Sequence, residues 1–292
     1  MVELAGRGLG SVPPPMLVFA GIISVQLGAA LAKGLFTVTG ALGAVGLRLG
    51  LSAAVMLIAW RPSLRIGRRA AFAALSYGVV LAAMNMSFYQ AISRIPLGVT
   101  VTIEFLGPLT VALLGSRRVL DVLWALLAAG GVVLLTEGGS GSLPWLGVLF
   151  ALGAAACWGM YIPLSARLGE RTSGGGGLAI AMSVAAVIAV PFGIAQAGTA
   201  MLHPVALAAG LGVALLSSVV PYSVELEALR RIPPRVFGVL MSLEPAVGAL
   251  IGLIVLSQGL GPGQWAAIAL VVAASVGATW NSGPTPPAAP ES

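Results

Sequence analysis

The chain has 292 residues, of which 58% are hydrophobic and 8% carry a charge, whereas about a quarter of an ordinary soluble domain is charged. This composition excludes a soluble globular protein and indicates a surface that faces lipid. The net charge of +6 comes from arginines in short loops, not interleaved with aromatic residues, which excludes nucleic-acid binding, while a single Cys157 and a single His203 exclude a disulfide framework and a metal cluster.

Ten apolar runs of about 20 residues follow one another along the chain, and this is the length that crosses a bilayer core. They cover residues 15–36, 40–60, 70–91, 96–115, 119–136, 143–166, 177–197, 205–229, 235–257 and 262–281. The predicted fold is an all-α integral membrane protein with ten transmembrane helices. Residues 1–14 are predicted to be a short cytoplasmic segment, and the Pro- and Ala-rich residues 282–292 a disordered cytoplasmic tail.

The positive charges provide a second test of this helix count. With a cytoplasmic N-terminus, the inner loops hold twelve arginines and the outer loops only Arg94, while Lys33 and Arg48 fall within helices. Such a bias is what the positive-inside rule requires, and one helix more or fewer would destroy it. The sequence therefore predicts ten helices with both termini in the cytoplasm.

A weak internal repeat divides the ten helices into two fives. The Ile95-Pro96 pair recurs as Ile232-Pro233, and Pro108 recurs as Pro245, both at an offset of 137 residues. Because five is an odd number, two such halves insert into the membrane in opposite senses. We therefore predict two inverted five-helix repeats over residues 15–136 and 143–281.

One glutamate lies near the middle of the fourth helix in each half. Glu104 precedes Pro108 by four residues, and Glu244 directly precedes Pro245. A charged side chain inside the membrane costs about 2.5–3.5 kcal/mol on insertion scales, so each needs a partner or a wet cavity. We interpret both glutamates as candidate sites for a proton or an ammonium group; the alternative is a structural carboxyl bonded to a neighbouring helix.

Two cations and a glutamine mark the first two helices. Gln26 and Lys33 are seven residues apart and share a helix face. Lys33 and Arg48 are candidates to bind a carboxylate or to neutralise a glutamate. Since both lie nearer the outer ends of their helices, extension toward the lipid headgroups is the alternative, and Arg48 is favoured as a structural charge.

Polar and aromatic side chains at helical spacing are further candidates to line a cavity, with packing or an interfacial belt as the alternative. They are Asn85 and Tyr89 on the third helix, Trp158 and Tyr161 on the sixth, and Tyr222 and Glu225 on the eighth. Glu227 instead lies four residues before Arg231, and we predict a surface ion pair between these two side chains.

Several segments resemble the EamA-type transporters of the drug/metabolite transporter superfamily. They are G-A-A-L-A-K at 28–33, G-V-V-L-A-A-M-N at 78–85, E-F-L-G-P at 104–108, A-A-C-W-G-M-Y-I at 155–162, P-Y-S-V-E at 221–225 and M-S-L-E-P-A at 241–246. The resemblance implies ten helices from a duplicated unit and export of small amino acids, of the threonine and homoserine type, across the bacterial inner membrane. It further implies exchange for protons.

The predicted mechanism is alternating access by a monomer that binds an amino acid and protons, without a cofactor, around a central cavity. Two other functions are compatible with parts of the sequence. The same fold can export another solute, such as a drug, a purine or another metabolite. An intramembrane enzyme would need a metal cluster or an activated nucleophile, and one Cys and one His offer little for either. A receptor or scaffold does not require buried carboxyls in inverted halves, so the sequence favours it less than a transporter.

Overall fold

The computed structural model describes residues 12–62, 67–114, 119–137, 143–172, 175–229, 231–232 and 234–281. Every regular element in these ranges is helical: α1 Pro14–Trp60, α2 Arg68–Ile92, α3 Leu97–Glu104, α4 Leu106–Leu114, α5 Val119–Glu137, α6 Trp145–Arg171, α7 Gly176–Ala197, a 3-10 helix Gly198–Leu202, α8 Pro204–Ala214, a π-helical turn Leu215–Val219, α9 Val220–Leu229, α10 Pro234–Met241, α11 Glu244–Leu256 and α12 Pro262–Asn281. By length and composition, five described helical stretches are long and apolar enough to cross a membrane. The all-helical class is confirmed for these residues, whereas the predicted N-terminal segment and tail fall largely outside them.

The first helix is sharply bent at Gly40. Gly40 has φ 68° and ψ 175°, a conformation that glycine adopts without the strain a Cβ would add. The bend separates a first arm, residues 14–39, from a second arm, residues 41–60. Gln196 of α7 caps the second arm, because its Oε1 accepts hydrogen bonds from the backbone N–H groups of Leu42 at 2.7 Å and Gly43 at 3.4 Å.

Two further helical stretches are interrupted, and the interruptions are related by the offset of the repeat. The first lies at Phe105, between α3 and α4, and the second at Ser242 and Leu243, between α10 and α11. Pro108 and Pro245 each follow three residues after the start of a break. Since proline has no N–H, it leaves the carbonyl four residues earlier without its helical donor.

The helices pack against one another in pairs. α1 packs against α7, α3 against α11, and α5 against α12. α2 packs against α6, and α1 in turn packs against the α8–α9 stretch, as it does against α7. Gly28 on the first arm lies so close to the π-helical turn that a Cβ there would collide with the hydroxyl of Ser217. Small residues at such crossings bring the backbones of the two halves into direct contact.

The two ends of the bundle differ in charge. One end, which we call the arginine-rich end, carries the exposed side chains of Arg61, Arg68, Arg69, Arg167 and Arg171. The Nη1 of Arg171 donates to the backbone carbonyl of Arg69 at 3.3 Å across this end. The other end, which we call the opposite end, contains Gly40 and the connections at 93–96, 198–203 and 257–261.

The predicted pair of Glu227 and Arg231 is confirmed. The Nε of Arg231 donates to Glu227 Oε1 at 2.9 Å, and its Nη2 lies 2.9 Å from the same oxygen. The Nη1 of Arg231 also donates to the backbone carbonyl of Val12 at 3.0 Å, which ties the start of the described chain to this loop. Both side chains are partly exposed, so the pair contributes at most about 1 kcal/mol to stability.

Candidate functional site

A cavity of about 750 Å³ lies between the helices of the bundle. It reaches from the two helix breaks at mid-bundle to Val111, Glu225 and Phe237, which lie close to the arginine-rich ends of their helices. The lining residues are Val25, Gln26, Arg48, Met84, Asn85, Phe88, Glu104, Phe105, Pro108, Leu109, Val111, Trp158, Tyr161, Ile162, Ser165, Ser217, Pro221, Glu225, Phe237, Gly238, Met241, Glu244 and Ser275. The cavity therefore extends toward the arginine-rich end.

The two breaks place two carboxyl groups in this cavity. Glu104 is the last residue of α3 and Glu244 the first residue of α11, and they are only 8% and 6% exposed. Gln26 Nε2 donates to Glu244 Oε1 at 3.2 Å. Within the described part of the chain, Glu244 Oε2 and Gln26 Oε1 are buried without a hydrogen-bond partner. Buried polar atoms in native proteins are almost always paired, so these atoms are available to a ligand or to water.

The helical stretch of α8 and α9 deviates from α-helical geometry where it meets the cavity. Over Leu215–Val219 the backbone forms a π-helical turn, a local feature common at functional sites. Pro221 follows at once. A π-helical turn would bond the carbonyl of Leu216 to the N–H of residue 221, and an α-helix would bond the carbonyl of Ser217 to that same N–H. Because proline has no N–H, it serves neither carbonyl.

Side chains from α1 bond these two carbonyls instead. Ser24 Oγ donates to the carbonyl of Leu216 at 2.7 Å, and Arg48 Nη2 donates to the carbonyl of Ser217 at 3.1 Å. The guanidinium carbon of Arg48 also lies 5.7 Å from the centre of the Tyr89 ring. The arginine is thereby held inside the bundle against a carbonyl and an aromatic ring.

The cavity holds one guanidinium group and three carboxyl groups. Arg48 lines the cavity together with Glu104, Glu225 and Glu244. Arg48 Nε is buried and has no hydrogen-bond partner among the described residues. The site therefore offers a donor to an anion and, nearby, acceptors to a cation.

Aromatic side chains form the apolar wall of the cavity. The rings of Phe105 and Trp158 meet edge to face, 5.6 Å apart at 87°. Tyr161 packs on Tyr77 with ring centres 4.8 Å apart. Since Phe105 is the residue at the first break, this wall directly adjoins the interruption between α3 and α4.

Comparison with known proteins shows the family of this chain. The model of the EamA-like transporter family matches residues 145–280. Two curated proteins named threonine/homoserine exporter RhtA, from Escherichia coli (strain K12) and Salmonella typhimurium (strain LT2), are each 42% identical over 269 residues, which is 91% of this chain and 91% of theirs. The chain belongs to the EamA-like transporter family. A solved crystal structure also aligns over 92% of this chain and 98% of its own, with a TM-score of 0.59 and 19% identity, and it supports the fold alone.

Family membership makes the chain a membrane transporter, which argues against an intramembrane enzyme. Most residues singled out in the sequence meet in the cavity of this EamA-like transporter. The lining includes Gln26, Arg48, Asn85, Glu104, Trp158, Tyr161, Glu225 and Glu244. The Tyr89 ring contacts the guanidinium of Arg48 but is not among the lining residues. Lys33 is half-buried and is not among the lining residues, and the side chain of Tyr222 lies outside the described part of the structure.

The sequence did not predict the hydrogen bond from Arg48 to the carbonyl of Ser217. The signal was present in the apolar run 205–229, where Pro221 must leave a carbonyl without a donor, and where two serines precede it. The identity of the replacement donors was not predictable, because Ser24 and Arg48 lie 192 and 169 residues from the carbonyls they bond. Asn85 was anticipated as a lining residue, but its Nδ2 is bonded to the Leu81 carbonyl of its own helix at 2.8 Å.

Proposed function

We propose that this transporter is a secondary active exporter of small amino acids, of the threonine and homoserine type, which it moves out of the cytoplasm across the inner membrane in exchange for protons. The names of the curated relatives, at 42% identity over 91% of the chain, support the solute class. The observation that carries the proposal is the partly buried Arg48 in one cavity with the carboxyls of Glu104 and Glu244.

An amino acid at neutral pH is a zwitterion and needs a donor for its carboxylate and an acceptor for its ammonium group. In the proposal, Arg48 binds the carboxylate, since a guanidinium presents paired N–H groups to such a ligand. Glu244, with an unpartnered Oε2, binds the ammonium group. The carboxylate role that the sequence suggested for Lys33 passes to Arg48, because Arg48 lines the cavity.

Charge balance supports exchange with protons. Three carboxyl groups share the cavity with one guanidinium, and uncompensated charge is costly to bury. A substrate ammonium group or bound protons can each compensate the excess of carboxyls. If the two compete for the same groups, proton entry from one side expels substrate toward that side, which is antiport.

Alternating access is supported by the shape of the bundle. The cavity reaches toward the arginine-rich end, which the proposed topology of ten helices with cytoplasmic termini puts inside the cell. At the opposite end, Gly98 and Ala249 are in such close contact that a Cβ on Gly98 would collide with Ala249. In the proposal, two inverted five-helix halves of a monomer rock about the cavity, and the breaks at Phe105 and Ser242 act as hinges.

The direct test is transport by purified protein in proteoliposomes loaded with radiolabelled threonine or homoserine. We expect efflux that accelerates when the external medium is made more acidic than the lumen and that stops when an uncoupler collapses the gradient. Glu227→Gln is the matched control, because Glu227 pairs with Arg231 outside the cavity. Efflux that is indifferent to the gradient would refute proton exchange, and no amino-acid flux at all would refute the solute class.

A second candidate is export of a larger, more apolar solute. The observation in its favour is the wall of Phe88, Phe105 and Trp158 in a cavity of about 750 Å³, a volume in the range of sites for drug-sized ligands. Competition of aromatic amino acids, purines and cationic drugs against labelled threonine distinguishes the two candidates. Stronger competition by an uncharged apolar solute than by threonine would favour this second function.

A further inference from the structure

We infer that Pro221 is a positioning residue that makes transport selective for solutes bearing a carboxylate, by leaving the carbonyl of Ser217 available to hold the guanidinium of Arg48. This inference rests on the proposed function, in which Arg48 binds the substrate carboxylate. Pro221 itself is buried and borders the cavity. Pro221 affects selectivity because it has no backbone N–H to donate.

The direction of a backbone carbonyl in a helix depends on the donor that it meets. In a regular helix a carbonyl points along the axis at the N–H four residues ahead. Where that N–H is missing, the carbonyl can tilt away from the axis toward another donor. The carbonyl of Ser217 has lost the donor of residue 221 and accepts from Arg48 Nη2 at 3.1 Å, across the contact between α1 and the π-helical turn.

The first arm of α1 and the π-helical turn approach each other closely. A Cβ on Gly28 would collide with Ser217 Oγ, so the first arm of α1 touches the turn directly. This proximity lets the short side chain of Ser24 reach the carbonyl of Leu216 at 2.7 Å. The two carbonyls without a donor from residue 221 thus have two separate partners, and only one of them, Arg48, lines the cavity.

These contacts fix the side chain of Arg48. A long flexible side chain loses rotamer freedom on binding unless it is already fixed, and prior fixation is a source of affinity. Arg48 is fixed by the Ser217 carbonyl on one nitrogen and by the Tyr89 ring on its face. Its Nε has no partner in the described chain. Restoring an N–H at position 221 favours the regular helix, which draws the Ser217 carbonyl away from Arg48 and loosens this arrangement.

The measurement is the selectivity between threonine and its amino-alcohol analogue, in which CH2OH replaces the carboxylate, as the ratio of their kcat/KM values in proteoliposomes. We expect the wild-type protein to favour threonine by at least about tenfold, the effect of one charge-assisted contact. Pro221→Ala lowers this ratio toward one by raising the KM for threonine alone. Pro221→Gly restores the same N–H without a Cβ and serves if the alanine variant does not reach the membrane.

Two matched controls isolate the N–H. Lactic acid at position 221, introduced by nonsense suppression, has the methyl group of alanine but an ester oxygen in place of the N–H, so it retains the wild-type ratio. Ser24→Ala removes the bond to the other carbonyl and also retains it. In an Arg48→Gln background, Pro221→Ala produces no further change in the ratio, because its effect passes through the guanidinium.

The inference is overturned if an N–H-bearing variant keeps the wild-type ratio, if the ester variant loses it to the same extent, or if Pro221→Ala and Arg48→Gln act additively. Failure of the proposed function gives a different result, because the wild-type protein itself then transports no threonine, or transports threonine and the amino alcohol equally well.

Discussion

The two interrupted helical stretches differ in which side of the break carries the buried carboxyl. In the first half Glu104 precedes the break at Phe105, and in the second half Glu244 follows the break at Ser242 and Leu243. Helices begin with unpaired N–H groups and end with unpaired carbonyls, so their N-terminal ends are electropositive and their C-terminal ends electronegative. Equivalent breaks therefore give the two carboxyls opposite electrostatic surroundings.

Packing explains why the halves differ. At the offset of the repeat, Glu244 corresponds to Gly107, where a Cβ would collide with the backbone carbonyl of Ala155. The crossing of α4 and α6 thus excludes any side chain at this position in the first half, and its carboxyl lies one turn earlier, at Glu104. We expect a division of roles: Glu244, bonded to Gln26, holds the substrate ammonium group, and Glu104 exchanges the proton.

The largest effect is expected for Glu244→Gln. An amide at this position cannot compensate the charge of the substrate ammonium group, so both gradient-driven efflux and gradient-free counterflow of labelled threonine decline. Loss of one partner of a buried charge pair costs about 2–5 kcal/mol, so the apparent affinity for threonine falls at least about thirtyfold. Unchanged counterflow in correctly folded Glu244→Gln protein would show that the ammonium group binds elsewhere.

Glu104→Gln is expected to separate coupling from binding. Glutamine has nearly the shape of glutamate but exchanges no proton, so gradient stimulation of efflux disappears while counterflow of threonine between equal pH values persists. The two assays are run on the same vesicles, with size-exclusion chromatography confirming a folded protein. Retained stimulation by the gradient would remove Glu104 from the coupling mechanism, and loss of counterflow as well would make its role the same as that of Glu244.

The sequence predicted the all-helical class because lipid imposes a simple rule on length and polarity. The sequence also marks the two breaks, since Pro108 and Pro245 act locally on their own helices. It did not predict which cation enters the cavity. Lys33 and Arg48 both appear near the outer ends of apolar runs, and Arg48 is oriented inward by the Ser217 carbonyl, 169 residues away, and by the Tyr89 ring. The bend at Gly40 is similarly stabilised by Gln196 of a distant helix.

Gly107→Ala tests the packing explanation of the asymmetry. A methyl group there meets the backbone of Ala155 rather than a side chain that can rotate, and overpacking of a tight contact costs about 1–3 kcal/mol. We expect a lower melting temperature in detergent and little expression of the larger Gly107→Glu variant. Gly130→Ala is the control, because no atom lies within 4 Å of a Cβ at that position. Equal melting temperatures for the two alanine variants would contradict the steric explanation.

The smallest effect concerns a glutamine that joins the two halves at the opposite end. Gln258, which follows α11, accepts a hydrogen bond through Oε1 from the N–H of Leu97 at the start of α3, at 2.9 Å. A side-chain cap of this kind contributes about 1 kcal/mol. Because outward opening separates α3 from α11, Gln258→Ala should raise the population open at this end about fivefold. Spin labels at Ser93 and Gly259, in protein with Cys157 replaced by alanine, measure it as a longer-distance component.

Gln264→Ala is the control for the spin-label distance measured in Gln258→Ala. Gln264 Oε1 accepts from the N–H of Gly261 at 3.0 Å, so it caps a helix within its own half. Removing it costs helix stability without releasing one half from the other. A longer distance in Gln258→Ala but not in Gln264→Ala would identify the inter-half cap as part of the closed opposite end. The same change in both variants would show that loss of a cap merely loosens the loop at 257–261, and that the two halves are held together at this end by packing such as that of Gly98 on Ala249.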